Sequence, residues 1–246
     1  MPLLFRVLLA LAAAVPAAAD VTDRLARTVP LGPGATVTLH VGVGQVRVIG
    51  WDRPDLALDI ERRAPAQADL ARFTPQVESA GNTVSIRVLQ LQEGRDPTLR
   101  SDVVLRVPRT ANLAAVSIFE GGLQLEGLAG TVAAHVERGD TVARNVTGSI
   151  RVDAGMGDIR LEGAKLLPDG LIRLRTFNGN VTVELAERPA NARVLALSMG
   201  GTIASDLPLT RQERWGPRWA ETTIGTGEPL ISIDVVNGNI TLKTPK

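Results

Sequence analysis

The feature that most constrains the fold of this chain is a short unit that recurs through its second half. Each copy consists of a glycine, one polar residue and an aliphatic residue, often followed by a further polar–aliphatic pair. Counted from Gly122 to Gly201, the regularly spaced glycines follow at steps of 17, 18, 22 and 22 residues. A unit that recurs at roughly twenty residues predicts stacked β coils, each burying its aliphatic face on the next. The copies are Gly148-Ser149-Ile150, Gly157-Asp158-Ile159, Gly179-Asn180-Val181, Gly201-Thr202-Ile203 and Gly238-Asn239-Ile240, with looser copies at Gly122 and Gly139 and an early one at Gly44.

The residues between these glycines favour a β-solenoid over a β-sandwich. A turn that needs a positive φ once per coil calls for Gly or Asn, as in Asn178-Gly179-Asn180 and Asn237-Gly238-Asn239. The narrow interior of a solenoid suits Val, Ile and Leu, and only 3% of the chain is aromatic. A sandwich of hairpins would also show short strands and Asn-Gly turns, so it remains the alternative. We therefore expect an all-β, single-domain, solenoid-like stack of short strands.

The first half of the chain also alternates in the way that half-buried strands do. Apolar and polar residues alternate along these segments, and many of the apolar ones are β-branched. Residues 67–73, bounded by Pro65 and Pro75, are the one segment predicted to form a helix, about two turns long. The alternating segments are residues 36–41, 45–48, 83–88 and 102–107.

The N-terminal segment, residues 1–19, is typical of a secretory signal peptide. It has one early cation, Arg6, an apolar run at residues 7–15 and three alanines at its end. The apolar run is too short to cross a bilayer, and no later segment is long and apolar enough to be transmembrane. We expect a lead-in at residues 20–29 and a β-strand-repeat domain at residues 30–246. The protein would then be exported by a bacterium to the periplasm, the cell surface or the medium.

Composition excludes several classes of function. The chain has no cysteine, which removes disulfides, thiolate metal sites and cysteine nucleophiles, and it has only 2 histidines. Loss of Arg6 with the signal peptide would leave equal numbers of basic and acidic residues, since the whole chain has 27 and 26. No polybasic block is present, so we expect no nucleic-acid partner. We expect no cofactor either, because Gly42-Val43-Gly44 lacks the third glycine of a dinucleotide motif.

The chain resembles the bacterial "putative adhesin" domains of the toastrack type, which are exported β-strand-repeat domains. The resemblance rests on an N-terminal Gly-x-Val-x-Val strand at Gly44, the Val107-Pro108 step and the serial Gly-x-Ile repeats. Gly225-Thr226-Gly227 ahead of a closing Asn-Gly-Asn-Ile strand completes it. It covers roughly residues 30–244. It implies a single β-solenoid-like domain without established catalytic residues.

Two aspartates, Asp140 and Asp158, each follow a repeat glycine. If their coils stack in register, their backbones lie about 4.8 Å apart. Such a pair could hold a cation or serve as the acid and nucleophile of a retaining glycosidase. The equivalent positions elsewhere are Asn180, Thr202 and Asn239, so a polar ladder along a solvated turn is the simpler interpretation. The aspartates are weak candidates for a metal site.

The segment at residues 207–223 interrupts the repeat and is rich in tryptophan and arginine. Long loops on rigid scaffolds often carry binding sites. Tryptophan faces stack on sugars or lie at membrane interfaces, and arginine binds carboxylates and phosphates. The alternative is a cap on the solenoid, with both tryptophan rings closing the core. The candidate ligand-binding residues are Arg211, Arg214, Trp215, Arg218 and Trp219.

These observations predict an exported, non-enzymatic module that acts by interaction. Its partner would be an envelope glycan, lipid or protein, bound by the solenoid surface or by residues 207–223. The alternative is a carbohydrate-active β-helix enzyme, a polysaccharide lyase or hydrolase. That enzyme would need outward-facing carboxylates and basic residues clustered over several coils, and the sequence offers only Asp140 and Asp158.

Overall fold

The computed structural model describes residues 20–90, 96–212 and 217–245, and this part of the chain is almost entirely β. One short 3-10 helix, Gln67–Phe73, stands where the sequence predicts helical structure. The strands are β1 (Val21–Pro30), β2 (Thr36–Val43), β3 (Val46–Trp51), β4 (Asp55–Ala64), β5 (Gln76–Ala80), β6 (Thr83–Val88), β7 (Arg100–Pro108), β8 (Asn112–Glu120), β9 (Leu123–Glu126), β10 (Val132–Arg138), β11 (Thr141–Arg144), β12 (Ile150–Met156), β13 (Ile159–Ala164), β14 (Leu171–Asn178), β15 (Val181–Leu185), β16 (Ala192–Ser198), β17 (Ile203–Ser205), β18 (Thr210–Gln212), β19 (Arg218–Ile224), β20 (Leu230–Asn237) and β21 (Ile240–Lys243).

The strands form two sheets, between which the chain passes repeatedly. Sheet A has ten strands in the order β1-β4-β7-β3-β9-β11-β13-β15-β21-β17. Sheet B has eleven strands in the order β18-β19-β16-β20-β14-β12-β10-β8-β2-β6-β5. A coil consists of one strand of sheet B and the next strand of sheet A, for example β12 and β13. Successive coils lie parallel and in register, as in the pairs of β12 with β14 and of β13 with β15.

This arrangement confirms the predicted solenoid-like fold. A hairpin sandwich would place antiparallel neighbours in each sheet, whereas the central strands here are parallel neighbours from stacked coils. Alternation explains the core, because in β12 the side chains of Ile150, Val152 and Ala154 are buried and those between them are not. The inward aliphatic side chains of both sheets join in one continuous core.

A row of glycines forms the corner at which each coil passes from sheet B to sheet A. Gly139, Gly157 and Gly179 have φ values of +140°, +137° and +153°. A Cβ on Gly157 would lie 2.1 Å from the carbonyl oxygen of Gly139, and one on Gly179 would lie 2.0 Å from that of Gly157. Only glycine tolerates both the positive φ and this approach of backbone to backbone. Gly148, with a φ of +104°, lies just before β12 at the opposite corner, as the repeat spacing predicts.

The repeat spacing predicts one corner glycine wrongly. It places Gly122 among the corner glycines, but Gly121 is the equivalent residue. Gly121 has a φ of +140°, and its Cβ would lie 1.7 Å from the carbonyl oxygen of Gly44. Gly122 occupies the polar position that follows. Because Gly121 and Gly122 are adjacent, the sequence alone does not show which of them forms the corner. The stacking of Gly121 on Gly44 shows that it is Gly121.

Coil order departs from chain order at both ends of the solenoid. The coil of β6 and β7 stacks outside that of β2 and β3, although it comes later in the chain. The coil of β20 and β21, which is the last in the chain, lies between the coil of β14 and β15 and that of β16 and β17. These long-range placements distinguish the fold from a simple linear repeat.

Antiparallel strands close both ends of the stack. At one end β4 pairs with β7 and β1 pairs with β4 over residues 21–30, so the segment predicted as a lead-in contains a strand of sheet A. Leu70 and Phe73 of the 3-10 helix are buried in the core. At the other end β19 pairs with β16, and β18 pairs with β19. The segment interpreted as a loop at residues 207–223 therefore contains two strands of sheet B.

Replacing Gly157 with alanine is expected to destabilise the protein by about 3 kcal/mol or more. The new methyl group would collide with the backbone of Gly139, and alanine would also have to adopt a positive φ. The matched control is Gly34→Ala, since Gly34 has a φ of +66° but open space where its Cβ would lie. That control is expected to cost about 1–2 kcal/mol. Urea unfolding followed by circular dichroism measures both. Equal losses in the two variants would contradict the close-approach explanation.

The attachment of β1 to β4 is expected to weaken in acid. The Arg24 guanidinium hydrogen-bonds to Asp59 and holds the pKa of that carboxyl below its usual value. Because the folded-state pKa is depressed, this stabilisation is complete above the unfolded pKa, about 4, and is lost as the pH falls through the folded value. The Arg24 side chain is largely exposed to solvent, which screens the pair, so the effect is at most about 1 kcal/mol. Urea midpoints of wild type and Asp59→Asn, measured across pH, should differ near neutrality and converge in acid.

Candidate interaction surface

A ladder of polar side chains runs beside the glycine corner and links one coil to the next. The Asp158 N–H donates to Oδ1 of Asp140 at 2.8 Å, and the Asn180 N–H donates to Oδ1 of Asp158 at 2.8 Å. Asn239 repeats the contact one coil further along, with its N–H 3.0 Å from Oδ1 of Asn180. Thr202 ends the series by donating its N–H to Asn239 at 2.9 Å.

This ladder gives Asp140 and Asp158 a structural role. Each carboxylate accepts the backbone N–H of the next coil, a group that would otherwise lack a partner at the corner. Asn180 and Asn239 play the same part with an uncharged amide, so the carboxylate charge is not what the position requires. Within the described ranges, no group of three or more His, Asp or Glu side chains is arranged to hold a metal ion. The ladder interpretation of these aspartates is the one that the geometry favours.

Truncation of Asp158 should therefore act on stability. Asp158→Ala leaves the Asn180 N–H without its acceptor and is expected to cost about 1–2 kcal/mol, measured by urea unfolding. Asp158→Asn keeps an acceptor at the same place and should change the unfolding free energy by less than about 0.5 kcal/mol. Millimolar calcium should leave the melting temperature of the wild-type protein unchanged. A calcium-dependent rise that Asp158→Asn abolishes would instead establish a metal site.

The structure separates the residues that the sequence predicts as a binding site. Arg214 and Trp215 lie outside the described residues. Trp219 lies in β19 opposite Leu197 of β16, on the outer face of sheet B, and 41% of its surface is exposed. Its ring therefore does not close the core, contrary to the cap interpretation. Strand alternation directs Arg218 to the opposite face, where its guanidinium donates to the Gly201 carbonyl and ties the hairpin to the corner.

Arg211 is also on the face opposite to Trp219. It is paired across the strands with Ala220, whose side chain is buried, and it is itself exposed. Neither Arg211 nor Arg218 therefore lies beside the Trp219 ring. The hairpin of β18 and β19 acts as a cap through its backbone pairing and through the burial of Ala220 and Leu207.

Other apolar side chains extend from Trp219 across the outer face of sheet B, and sequence reasoning missed them. Phe177 of β14 and Met199, which follows β16, are 56% and 57% exposed. Val236 of β20 lies between them, because Asn178 is in register with Asn237 and the Gly200 N–H donates to the Val236 carbonyl at 2.9 Å. Leu197 lies two residues before Met199 on the same face. We call these five residues the apolar row: Phe177, Val236, Met199, Leu197 and Trp219.

The apolar row crosses four neighbouring strands, β14, β20, β16 and β19, so it extends for about 14 Å. Sequence reasoning could have found Phe177, because it occupies an outward position in an otherwise alternating strand that carries Arg173 and Arg175 at its other outward positions. The row as a whole could not be found, because its members come from segments whose neighbours are set by the non-sequential coil order.

Charged residues border the apolar row on the same face. Arg175 lies two residues before Phe177, with Nε 3.9 Å from Oδ1 of Asp153 and 4.0 Å from Oδ2 of Asp234. Arg173 is exposed and stands in register with Arg151 of β12. The face thus presents rings and aliphatic groups next to guanidinium and carboxylate groups, a combination found where proteins contact sugars, lipids or other proteins.

The fold and this surface define a two-sheet β-solenoid with an exposed apolar row. A family model for the toastrack family, DUF4097, matches residues 76–243. The chain therefore belongs to this family. The match spans the parallel coils from β6 and β7 onward and the hairpin, which confirms the resemblance predicted from the repeats.

The chain is similar to solved bacterial structures, one of which shares its fold. A "putative cell adhesion protein" from Clostridium sporogenes aligns with a TM-score of 0.50 at 13% identity, covering 91% of this chain and all of that one. "Putative adhesins" from Bacteroides fragilis and Parabacteroides distasonis align at 12% and 9% identity, with TM-scores of 0.38 and 0.26; each alignment covers 91% of this chain and 97% of the other. The curated proteins contain no match. None of the helices in the described part of the chain is long and apolar enough to cross a membrane.

Proposed function

We propose that this protein is an exported, non-enzymatic module that binds an envelope component through the outer face of sheet B. The observation that carries the proposal is the apolar row, in which three large side chains are each more than 40% exposed. Isolated apolar residues are common on protein surfaces, but a contiguous row beside charged groups is typical of an interaction site. The partner would be a glycan, a lipid or a protein of the envelope.

Each part of this face suits such a partner. The rings of Phe177 and Trp219 offer flat apolar surfaces that stack on sugars or lie among acyl chains and headgroups. Arg173 supplies a guanidinium that can bind carboxylate or phosphate groups in two-pronged fashion. Because paired strands of sheet B carry four of the five side chains, the row is largely ordered before binding, which lowers the entropic cost of association.

Export is proposed from the sequence of residues 1–19, which combines an early cation, a short apolar run and terminal alanines. The absence of cysteine suits a domain that is held together by its coils and does not depend on disulfides. The protein would work in the periplasm, on the cell surface or in the medium.

The non-enzymatic part of the proposal rests on the carboxylates. Asp140 and Asp158 were the pair considered for glycoside hydrolysis, and each already accepts a backbone N–H in the ladder. Oδ1 of each aspartate joins one coil to the next. A lyase or hydrolase would need acid and base groups that are free to reach a substrate.

The experiment is co-sedimentation of the purified protein with isolated envelopes of its own organism. We expect the protein to pellet with envelopes, and the double variant Phe177→Ala/Trp219→Ala to lose at least about fivefold in bound fraction. The matched control is Arg160→Ala/Thr182→Ala, which alters two neighbouring coils on the outer face of sheet A. This control should pellet like the wild type.

Three further samples identify the partner class: lipid vesicles prepared from the envelopes, purified cell-wall glycan, and envelopes treated with protease. Binding to one of the first two, or its loss in the third, assigns a lipid, a glycan or a protein. If the wild-type protein fails to pellet, or if the double variant pellets equally well while remaining folded by circular dichroism, the proposal is wrong.

A further inference from the structure

The first strand of sheet A leaves one of its edges open. β1 pairs with β4 along its whole length, from Val21 opposite Ala64 to Pro30 opposite Asp55. No other described strand pairs with it, so it is the end strand of the ten-stranded sheet. An open edge of this length presents alternating N–H and C=O groups that can pair with another extended strand.

The sequence of β1 is complementary to itself when the strand is reversed about Leu25. In an antiparallel pair centred there, Leu25 faces the Leu25 of a second copy. Val21 faces Val29 of the second copy, and Thr22 faces Thr28. Asp23 faces Arg27, so an acidic side chain meets a basic one. Cross-strand pairs of these kinds stabilise antiparallel sheets.

The charged groups that this register brings together have free hydrogen-bonding capacity. Asp23 binds Arg62 of its own chain through Oδ2, which leaves Oδ1 as an acceptor, and its side chain is 42% exposed. Arg27 donates one Nη1 bond to the Val77 carbonyl at 3.2 Å, which leaves Nε and Nη2 as donors. Two Asp23–Arg27 pairs would therefore form across a twofold axis without breaking the contacts made within each chain.

The remaining cation of the strand does not oppose this pairing. Arg24 would lie near its counterpart across the axis, but its guanidinium is already bound to Asp59, with Nε 2.8 Å from Oδ1. Val21 and Leu25 are partly buried against the end of the core, so a second copy would cover apolar surface that the solenoid leaves half-exposed. Pro30, which has no N–H, lies outside the nine residues that would pair.

We propose that two copies of this chain associate through β1, edge to edge and antiparallel, about a twofold axis at Leu25. The two ten-stranded sheets would then form one continuous sheet across the dimer. The contact is isologous, so it closes at two copies and does not propagate into fibres. The apolar row lies at the other end of each solenoid, so it stays uncovered.

Sedimentation velocity of the purified protein over a wide concentration range tests the association. We expect a monomer–dimer equilibrium. Arg27→Asp would place an aspartate opposite Asp23 at both ends of the twofold interface. The resulting repulsion should raise the dissociation constant by at least about tenfold. Arg87→Asp, an exposed site on the outer face of sheet B, is the control and should behave as the wild type.

The register is tested by cysteine crosslinking, which the cysteine-free chain makes unambiguous. Leu25→Cys should form a disulfide-linked dimer under mild oxidation, because each Leu25 faces its own counterpart. Thr22→Cys and Thr28→Cys should not crosslink alone but should crosslink when the two proteins are mixed, since 22 pairs with 28.

A protein that sediments as a monomer at every concentration would overturn the proposal. A dimer that Arg27→Asp leaves intact, or one in which Thr22→Cys crosslinks alone and Leu25→Cys does not, would also overturn it, because the interface or the register would be different. Circular dichroism of each variant separates loss of pairing from loss of folding.

Discussion

The structure depends on the close approach of backbones at the glycine corner. A Cβ at Gly139, Gly157 or Gly179 would lie within about 2 Å of the neighbouring carbonyl oxygen, so each coil rests directly on the next. This contact fixes the register between coils. Because the register is fixed, the residue after each glycine meets its counterpart one coil away, and the polar ladder of Asp140, Asp158 and Asn180 follows.

The same register determines what the outer faces can present. Inward positions are filled by aliphatic side chains in a continuous core, so variation is possible only at outward positions and at the ends. On the outer face of sheet B those positions align Phe177, Met199 and Trp219 in one row that crosses four strands. A stack of paired strands can display such a surface on its outer face while its inward side chains hold the core together.

Much of the fold could be predicted from the sequence, because it rests on local patterns. Alternation predicts the strands, glycine spacing predicts the corners, and two prolines bound the helical segment at residues 67–73. The remainder depends on partners far away in the chain. The place of Gly121, the antiparallel strand β1 and the hairpin within residues 207–223 are decided by strand pairing that no local pattern records. The apolar row stayed hidden for the same reason, whereas the ladder at Asp158 was visible in the repeat.

The position of the last coil has a consequence for how the chain folds. Strands β20 and β21 lie between coils that precede them in the chain. The strands β14 and β16 therefore cannot pair with β20 until residues 230–243 have been synthesised. A linear repeat can grow coil by coil from its first turn. Here β20 pairs with β14 on one side and with β16 on the other, so the solenoid is completed only by pairing between segments that are far apart in the chain.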